Sequence, residues 1–395
     1  MGFETASAAT THLSALELLA KLVSFNTESR RSNIALIDFV ADYLTSLGVP
    51  FLRAPNAAGD KVALYCTIGP QDRGGVLLSG HTDVVPVAGQ PWTSDPFTLR
   101  IADGKAYGRG AVDMKAFAAL ALAAIPDWQA SGLKTPIHLL LSYDEETTCL
   151  GSTDVIRRFG ADLPKPTAVI VGEPTELQAA DAHKSVVTFN TTVHGFEAHS
   201  SKPELGANAV QGAALLVAEL VRIAADMKAL GDVTGRFDPP YTSVHCGLIE
   251  GGTARNIVPR ICRFEWEYRG TPGVDADTLV VDRLAAYARD VVEPMLKAGH
   301  PDARVETVNQ VRVPGLRPEP NSEAEHLALA VTGRNRTVTV PYGTEAGHFQ
   351  AAGIPTIVCG PGSINQAHQP DEYITLEALA RGEDFMRRLA ARLSV

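Results

Sequence analysis

Short apolar runs recur along the first half of the chain: KVALYCTI, GGVLLSGH, PIHLLLSY and PTAVIVGE. An Ala-rich stretch, DMKAFAALALAAIPDW, stands between the second and the third. A strand buried on both faces reads as a near-continuous apolar run, and parallel strands need crossover connections that are usually helical. The pattern predicts an α/β fold, with a mostly parallel central sheet and helices on both faces. Residues 13–48 add helical character ahead of the strands. Leu13, Leu16, Leu19 and Leu22 recur at helical spacing, and a second amphipathic run covers 33–47.

The texture changes near residue 184. SVVTFNTTVHG alternates as a half-exposed antiparallel strand does. A helix is expected over about 206–229, strands near 242–250 and 261–269, and a helix over about 275–297. ARVETVNQVRV closes the series as a last strand. The order β-α-β-β-α-β describes a ferredoxin-like open-faced sandwich. After PGLRPEPNSE the α/β pattern resumes with TVTVPYGTEAGHF and IPTIVCGPGS. With 395 residues, two domains are expected. They are a discontinuous α/β domain, 1–184 and 313–395, and a smaller α+β insert, 185–312.

The net charge of −10 argues against partners such as nucleic acid or an anionic membrane. The cysteines number five, an odd count, and none forms a CxxC pair. They read as reduced thiols of a cytoplasmic protein. The first 25 residues lack a basic segment followed by a long apolar run, so no secretory leader is expected. Nowhere do about 18 apolar residues run together, which argues against a membrane span.

Acids and histidines fall just after the strands of the α/β part. LLSGHTDVVP offers His81 and Asp83, AYGRGAVDMK offers Asp113, and LSYDEETT offers Glu145 and Glu146. IVGEPTE offers Glu173, and GSINQAHQPDEY offers His368. Each has an ordinary reading by itself: Asp113 as a helix N-cap, the paired glutamates as a solvated turn, the histidines as core or surface residues. Together they stand where open α/β sheets gather ligands. Crowded carboxylates repel one another, and a divalent cation removes that cost. Two imidazoles with three carboxylates suit zinc-type ions. Two ions about 3.5–4 Å apart share a bridging ligand, and the two oxygens of Asp113 can supply it. That allows His81 and Glu173 on one ion and Glu146 and His368 on the other, with Asp83 orienting His81.

These residues lie in segments that resemble the M20 family of metallopeptidases and deacylases. SGHTDVVP, GRGAVDMK, DEE, GEPTE, HGFEAHSSKPELGANAV and GGTARNIVP appear in the family's order, and the match spans nearly the whole chain. Within the family, GQPWTSDPFTL, YGTEAG and CGPGSINQAHQPDEY are most similar to bacterial acetylornithine deacetylases. The resemblance implies a cytoplasmic enzyme with two divalent ions, in zinc sites that cobalt can also fill. Its substrate would be a small N-acyl amino acid, N2-acetyl-L-ornithine, giving L-ornithine and acetate. Glu146 would bind metal, while Glu145 would act as general base on the water between the ions.

The resemblance also assigns residues in the insert. His199 matches a histidine that polarises the scissile carbonyl and that, in dimeric members, reaches the partner's site. His194 is the competing candidate nearby. Asn256 matches a residue near the same oxyanion. Arg269 matches a position that meets a substrate carboxylate, with a surface salt bridge as the alternative. The backbone N–H groups of Gly343, Thr344 and residues 360–363 would serve the same carboxylate. A homodimer built by the insert is implied. The sequence departs from the deacetylase pattern at Val112, Ala116, Ser185 and His348. These positions touch the walls of the site, so the substrate stays open among other M20 deacylases, such as a succinyl-diaminopimelate desuccinylase or a general N-acyl-amino-acid hydrolase. An aminopeptidase and a catalytically silent binding relative are the further alternatives.

Overall fold

The structure is a computed structural model that describes residues 12–232 and 234–395. The leader reading over the first 25 residues therefore lies partly outside the described residues. The chain divides into two compact units. The first comprises Met1–Asp181, Pro318–Val338 and Thr344–Val395; the second comprises Ala182–Arg317 and Thr339–Gly343. The return of residues 339–343 to the second unit has no counterpart in the two-segment division drawn from the sequence.

An eight-stranded sheet has six strands wholly in the first unit, and its strands Ala180–His183 and Val338–Val340 run on into segments of the second. Its order is Phe51–Pro55, Val62–Ile68, Ile137–Ser142, Val76–His81, Ala168–Pro174, Thr356–Gly360, Ala180–His183 and Val338–Val340. The four strands Ile137–Ser142, Val76–His81, Ala168–Pro174 and Thr356–Gly360 run parallel to one another. The pairings that flank them, Val62–Ile68 with Ile137–Ser142 and Val358 with Ala180, are antiparallel.

The central strands are apolar on both faces because both faces are covered. Leu78, Leu139, Leu141, Ile170 and Ile357 join one cluster with the helices Ala15–Val23, Ile34–Ser46, Lys115–Ala130 and Leu376–Leu393. Leu77, Leu140, Val169, Val171 and Val358 are buried on the opposite face, where the helix Ala346–Ala351 packs on the sheet. At Gly172 the helix Lys115–Ala130 comes so close that an added Cβ would sit 2.1 Å from the Phe117 ring. Only glycine permits that approach, directly before Glu173.

The two helical runs expected over 13–48 are the helices Ala15–Val23 and Ile34–Ser46. Ser14 starts the first through a capping box with Glu17, and Asn33 precedes the second. Between them, the Thr27 hydroxyl donates to the carbonyl of Thr82. This ties the turn to the end of the strand that carries His81.

The second unit has a four-stranded antiparallel sheet, in the order Ser243–Gly251, Ile261–Arg269, Val186–His194, Arg304–Val313. The helix Ala209–Leu230, capped by Asn208, and the helical run from Asp277 to Gly299 bury one face. The expected βαββαβ order is present. Along Val186–His194 buried and half-buried residues alternate strictly, as a one-sided sheet requires.

Candidate metal centre

Four parallel strands put their carboxyl ends on one edge of the sheet, and the first unit uses that edge. His81 is the last residue of its strand, and Glu173 is the last but one of Ala168–Pro174. Glu145 and Glu146 occupy the turn after Ile137–Ser142. His368 lies in the loop after Thr356–Gly360, and Asp113 lies just ahead of the helix Lys115–Ala130.

The fold brings all of these together. Nε2 of His81 lies 3.1 Å from Oδ1 of Asp113 and 3.7 Å from Oε1 of Glu173. Nε2 of His368 lies 3.2 Å from Oδ2 of Asp113 and 3.1 Å from Oε2 of Glu146. Asp113 thus offers one oxygen to each imidazole. Among the described residues, two groups of three could hold a metal ion: His81, Asp113 and Glu146, and His81, Glu145 and Glu173. Within each group the ligand atoms lie within 4.8 Å of one another. Glu145, singled out from the sequence as a base alone, therefore stands within ligand distance as well.

The electrostatics follow from confining so many acids in low dielectric. Burial pushes the Glu145 carboxyl up to about 8 and Glu146 up to about 7, with the neighbouring carboxylates adding to both. Glu173 is raised well above the usual range for the same reasons. Burial would raise Asp113 too, but hydrogen bonds from His368 and His81 outweigh it and hold that carboxyl below its ordinary value. His368 rises to about 10 through its hydrogen bonds to Asp113 and Glu146. Burial works against a charged His81, yet Asp113 and the charges of Glu173 and Glu145 hold its pKa well above normal. The cluster lacks positive charge of its own and takes it from protons.

The residues fit a divalent ion. Oε1 of Glu173 is buried with no hydrogen-bond partner among the described residues. The donor set is imidazole nitrogen and carboxylate oxygen, which suits zinc-type ions.

Asp83 acts differently from the expectation. Nδ1 of His81 is hydrogen-bonded to the main-chain carbonyl of Asp83 at 2.9 Å, whereas the Asp83 carboxylate is 3.5 Å away. That carboxylate instead accepts the backbone N–H groups of Glu145 at 3.1 Å and Glu146 at 3.3 Å, and the Ser29 hydroxyl at 2.7 Å. The turn it holds is wound around Asp144, whose φ of 57° is left-handed. The Asp144 carbonyl accepts the N–H groups of Thr148 and Cys149, both at 2.8 Å, and its side chain pairs with Lys61. The Cys149 thiol donates toward the carbonyl and Oε1 of Glu145, at 3.2 and 3.3 Å. Burial and the surrounding carboxylates keep that thiol protonated.

Glu345 is a buried acid that escaped the sequence reading. Glu345 accepts the Ser79 hydroxyl at 2.6 Å, two residues from His81. Burial raises its pKa, and the hydroxyls of Ser79, Ser142 and Ser152 oppose the rise. In GTEAG it stands among small residues at the head of a helix, and nothing in that stretch marks it as buried.

The remaining predicted residues belong mostly to the second unit. His199 is exposed and pairs across a short bridge with Ile257. Its Nδ1 accepts the N–H of Ser201 at 3.1 Å, which leaves the proton of the neutral ring on Nε2. The carbonyl of Asn256 accepts the N–H of Ser200 at 3.1 Å, so these two segments lie side by side. His194 lies 3.3 Å from Glu306 within the sheet. The Arg269 guanidinium is engaged by Glu267 at 3.0 and 3.1 Å. Gly343 faces Val186 so closely that an added Cβ would meet it at 2.5 Å. Thr344, in the first unit, is buried, and its hydroxyl oxygen accepts the N–H of Ala346 at 3.0 Å.

A family model, peptidase family M20/M25/M40, matches residues 77–392. A tripeptidase structure from Staphylococcus aureus superposes with a TM-score of 0.75 at 19% identity, over 97% of this chain and 99% of that chain. An M20 family metallo-carboxypeptidase from Sulfolobus solfataricus gives a TM-score of 0.71 at 20% identity, over 96% and 99%. A dinuclear metal-binding M20 peptidase from Bacillus subtilis gives 0.64 at 15% identity, over 96% and 97%. At these identities the likeness establishes the fold.

Proposed function

The chain belongs to peptidase family M20/M25/M40, which implies a metal-dependent hydrolase, and on that premise we propose that it removes a short acyl group from an amino acid. N2-acetyl-L-ornithine is the substrate favoured by the sequence, giving L-ornithine and acetate. The observation that carries the reading is the convergence of His81, Asp113, Glu146, Glu173 and His368 around Glu145 on one sheet edge.

In this reading His81, Glu173 and Asp113 would hold one ion, and Glu146, His368 and Asp113 would hold the other. Zinc fits the donor set, and cobalt can replace it. Bound there, the ions would supply Lewis acidity toward a carbonyl and a water. Glu145 takes a proton at its carboxylate and delivers it to the leaving amine. Asp83 holds the turn that presents Glu145. His199 offers the Nε2 proton to the developing oxyanion, with Asn256 beside it. Arg269, Gly343 and Thr344 are assigned to the substrate carboxylate, for which Arg269 must leave Glu267.

A peptidase is the second reading. It is supported by the structural neighbours, which include a tripeptidase and a metallo-carboxypeptidase. One panel separates the two. Protein stripped by chelator and refilled with zinc or cobalt is assayed on N-acetylornithine, N-acetylmethionine, N-succinyl-diaminopimelate and short peptides. Restored activity strongest on N-acetylornithine supports the first reading. Turnover of peptides alone moves the assignment to the second.

A homodimer through the second unit is part of the proposal. The edge strand Ser243–Gly251 exposes Leu248 and Ile249, and a monomeric mass for active enzyme would contradict it. Among the described residues no helix is long and apolar enough to cross a membrane. The five free cysteines suit the reducing cytoplasm.

A further inference from the structure

Arg109 and Glu372 form an ion pair at 2.7 Å, with both side chains only 1% exposed. Removing two charges from water is costly, and such a pair rarely adds net stability over apolar packing. Its contacts point to another use. Oε1 of Glu372 accepts the backbone N–H groups of Val112 at 3.0 Å and Asp113 at 3.2 Å. The Arg109 guanidinium also donates to the side-chain oxygen of Gln90. The amide nitrogen of Gln90 in turn donates to the main-chain carbonyl of His368 at 2.9 Å. His368 sits at φ 62°, a left-handed backbone that a non-glycine residue adopts only when its surroundings impose it.

We infer that Gln90, Arg109 and Glu372 form one bracket that sets the spacing between Asp113 and His368. It acts on the main chain of the two residues and touches neither side chain. The inference rests on the dinuclear reading above. Asp113 and His368 come from loops more than 250 residues apart in sequence, and the ligand set needs both on the same ion. Glu372 fixes the first at its amide, Gln90 fixes the second at its carbonyl, and Arg109 joins the two holds. Gln90 and Glu372 are positioning residues.

Stepwise ion binding to the chelator-stripped protein tests this, with zinc alone as the probe and calorimetry plus metal analysis as the readouts. Gln90→Ala removes the hold on His368 and leaves the buried ion pair intact. Gln90→Glu keeps an oxygen for Arg109 but cannot donate to the carbonyl. Both are expected to weaken the second ion by about 10-fold or more, with the first ion changed less than about 2-fold and the Tm of ion-free protein unchanged. Glu372→Gln keeps an acceptor for the two N–H groups and should weaken the second ion less than Glu372→Ala. If wild type binds two ions and the Gln90 variants bind both equally well, the bracket is overturned and the dinuclear reading stands. If wild type itself fails to bind two ions, the dinuclear reading falls and the bracket with it.

Discussion

The carboxylate of Asp83 accepts the backbone N–H of Glu145 at 3.1 Å. The acid two residues after a candidate ligand thus governs the candidate base rather than the ligand's ring. Asp83→Ala frees the Glu145–Glu146 turn while the main-chain carbonyl still holds His81. Turnover should fall by about 10- to 100-fold, with the larger part of the loss in kcat. Steady-state kinetics on the refilled enzyme check this, and a variant changed only in KM would contradict it.

Glu145→Gln keeps the shape of the base and removes its proton chemistry. The variant should still bind two zinc ions by metal analysis, because neither proposed ion depends on Glu145. Its kcat should fall by about 10²- to 10⁴-fold. Near wild-type turnover would exclude Glu145 as the base.

Loading the ion-free centre should release protons. At pH 7 His368, raised to about 10, and Glu145, raised to about 8, hold protons in the empty cluster. A cation replaces that positive charge, so zinc binding should tighten as pH rises. Calorimetry in two buffers of different ionisation enthalpy reads the release directly. Identical heats in both would count against it.

His138 makes stability depend on pH away from the centre. It is fully buried within its strand, with Nδ1 near the hydroxyls of Tyr65 at 2.8 Å and Thr67 at 2.9 Å. Burial lowers its pKa from 6.5 to about 4. Folding thus favours the neutral ring. The contribution is complete above pH 6.5 and is lost as pH falls through the window toward 4, to a total of about 3 kcal/mol. His138→Gln should therefore show a smaller drop in Tm between pH 7 and pH 4.5 than wild type. An equal drop would show that other groups set the acid limit.

The parallel strands were legible because their apolar runs are near-continuous, and the acids and histidines near their carboxyl ends stood out against those runs. His81 and Glu173 stand within the last two residues of their strands. The supports were not. Glu372 and Glu345 lie in loop-like sequence, and each meets a partner far along the chain, Arg109 and Ser79. No local period encodes such a meeting. Asp83 misled for a related reason. Two residues from His81, it invites a side-chain contact, but its carboxylate finds three donors elsewhere.

The strand Thr356–Gly360 is threaded into the sheet between Ala168–Pro174 and Ala180–His183, and His368 follows it. Sheet order therefore runs against the order of synthesis. On the ribosome, a nascent chain that has emerged only through the second unit has its first unit open at an inner position, with two unpaired strand edges in the middle of the sheet. A premature stop ahead of Thr356 would release such a species, exposed to edge-to-edge association. The carboxylates are made early and His368 late, so under the proposed function a fragment that stops short of His368 lacks one of the five proposed ligands.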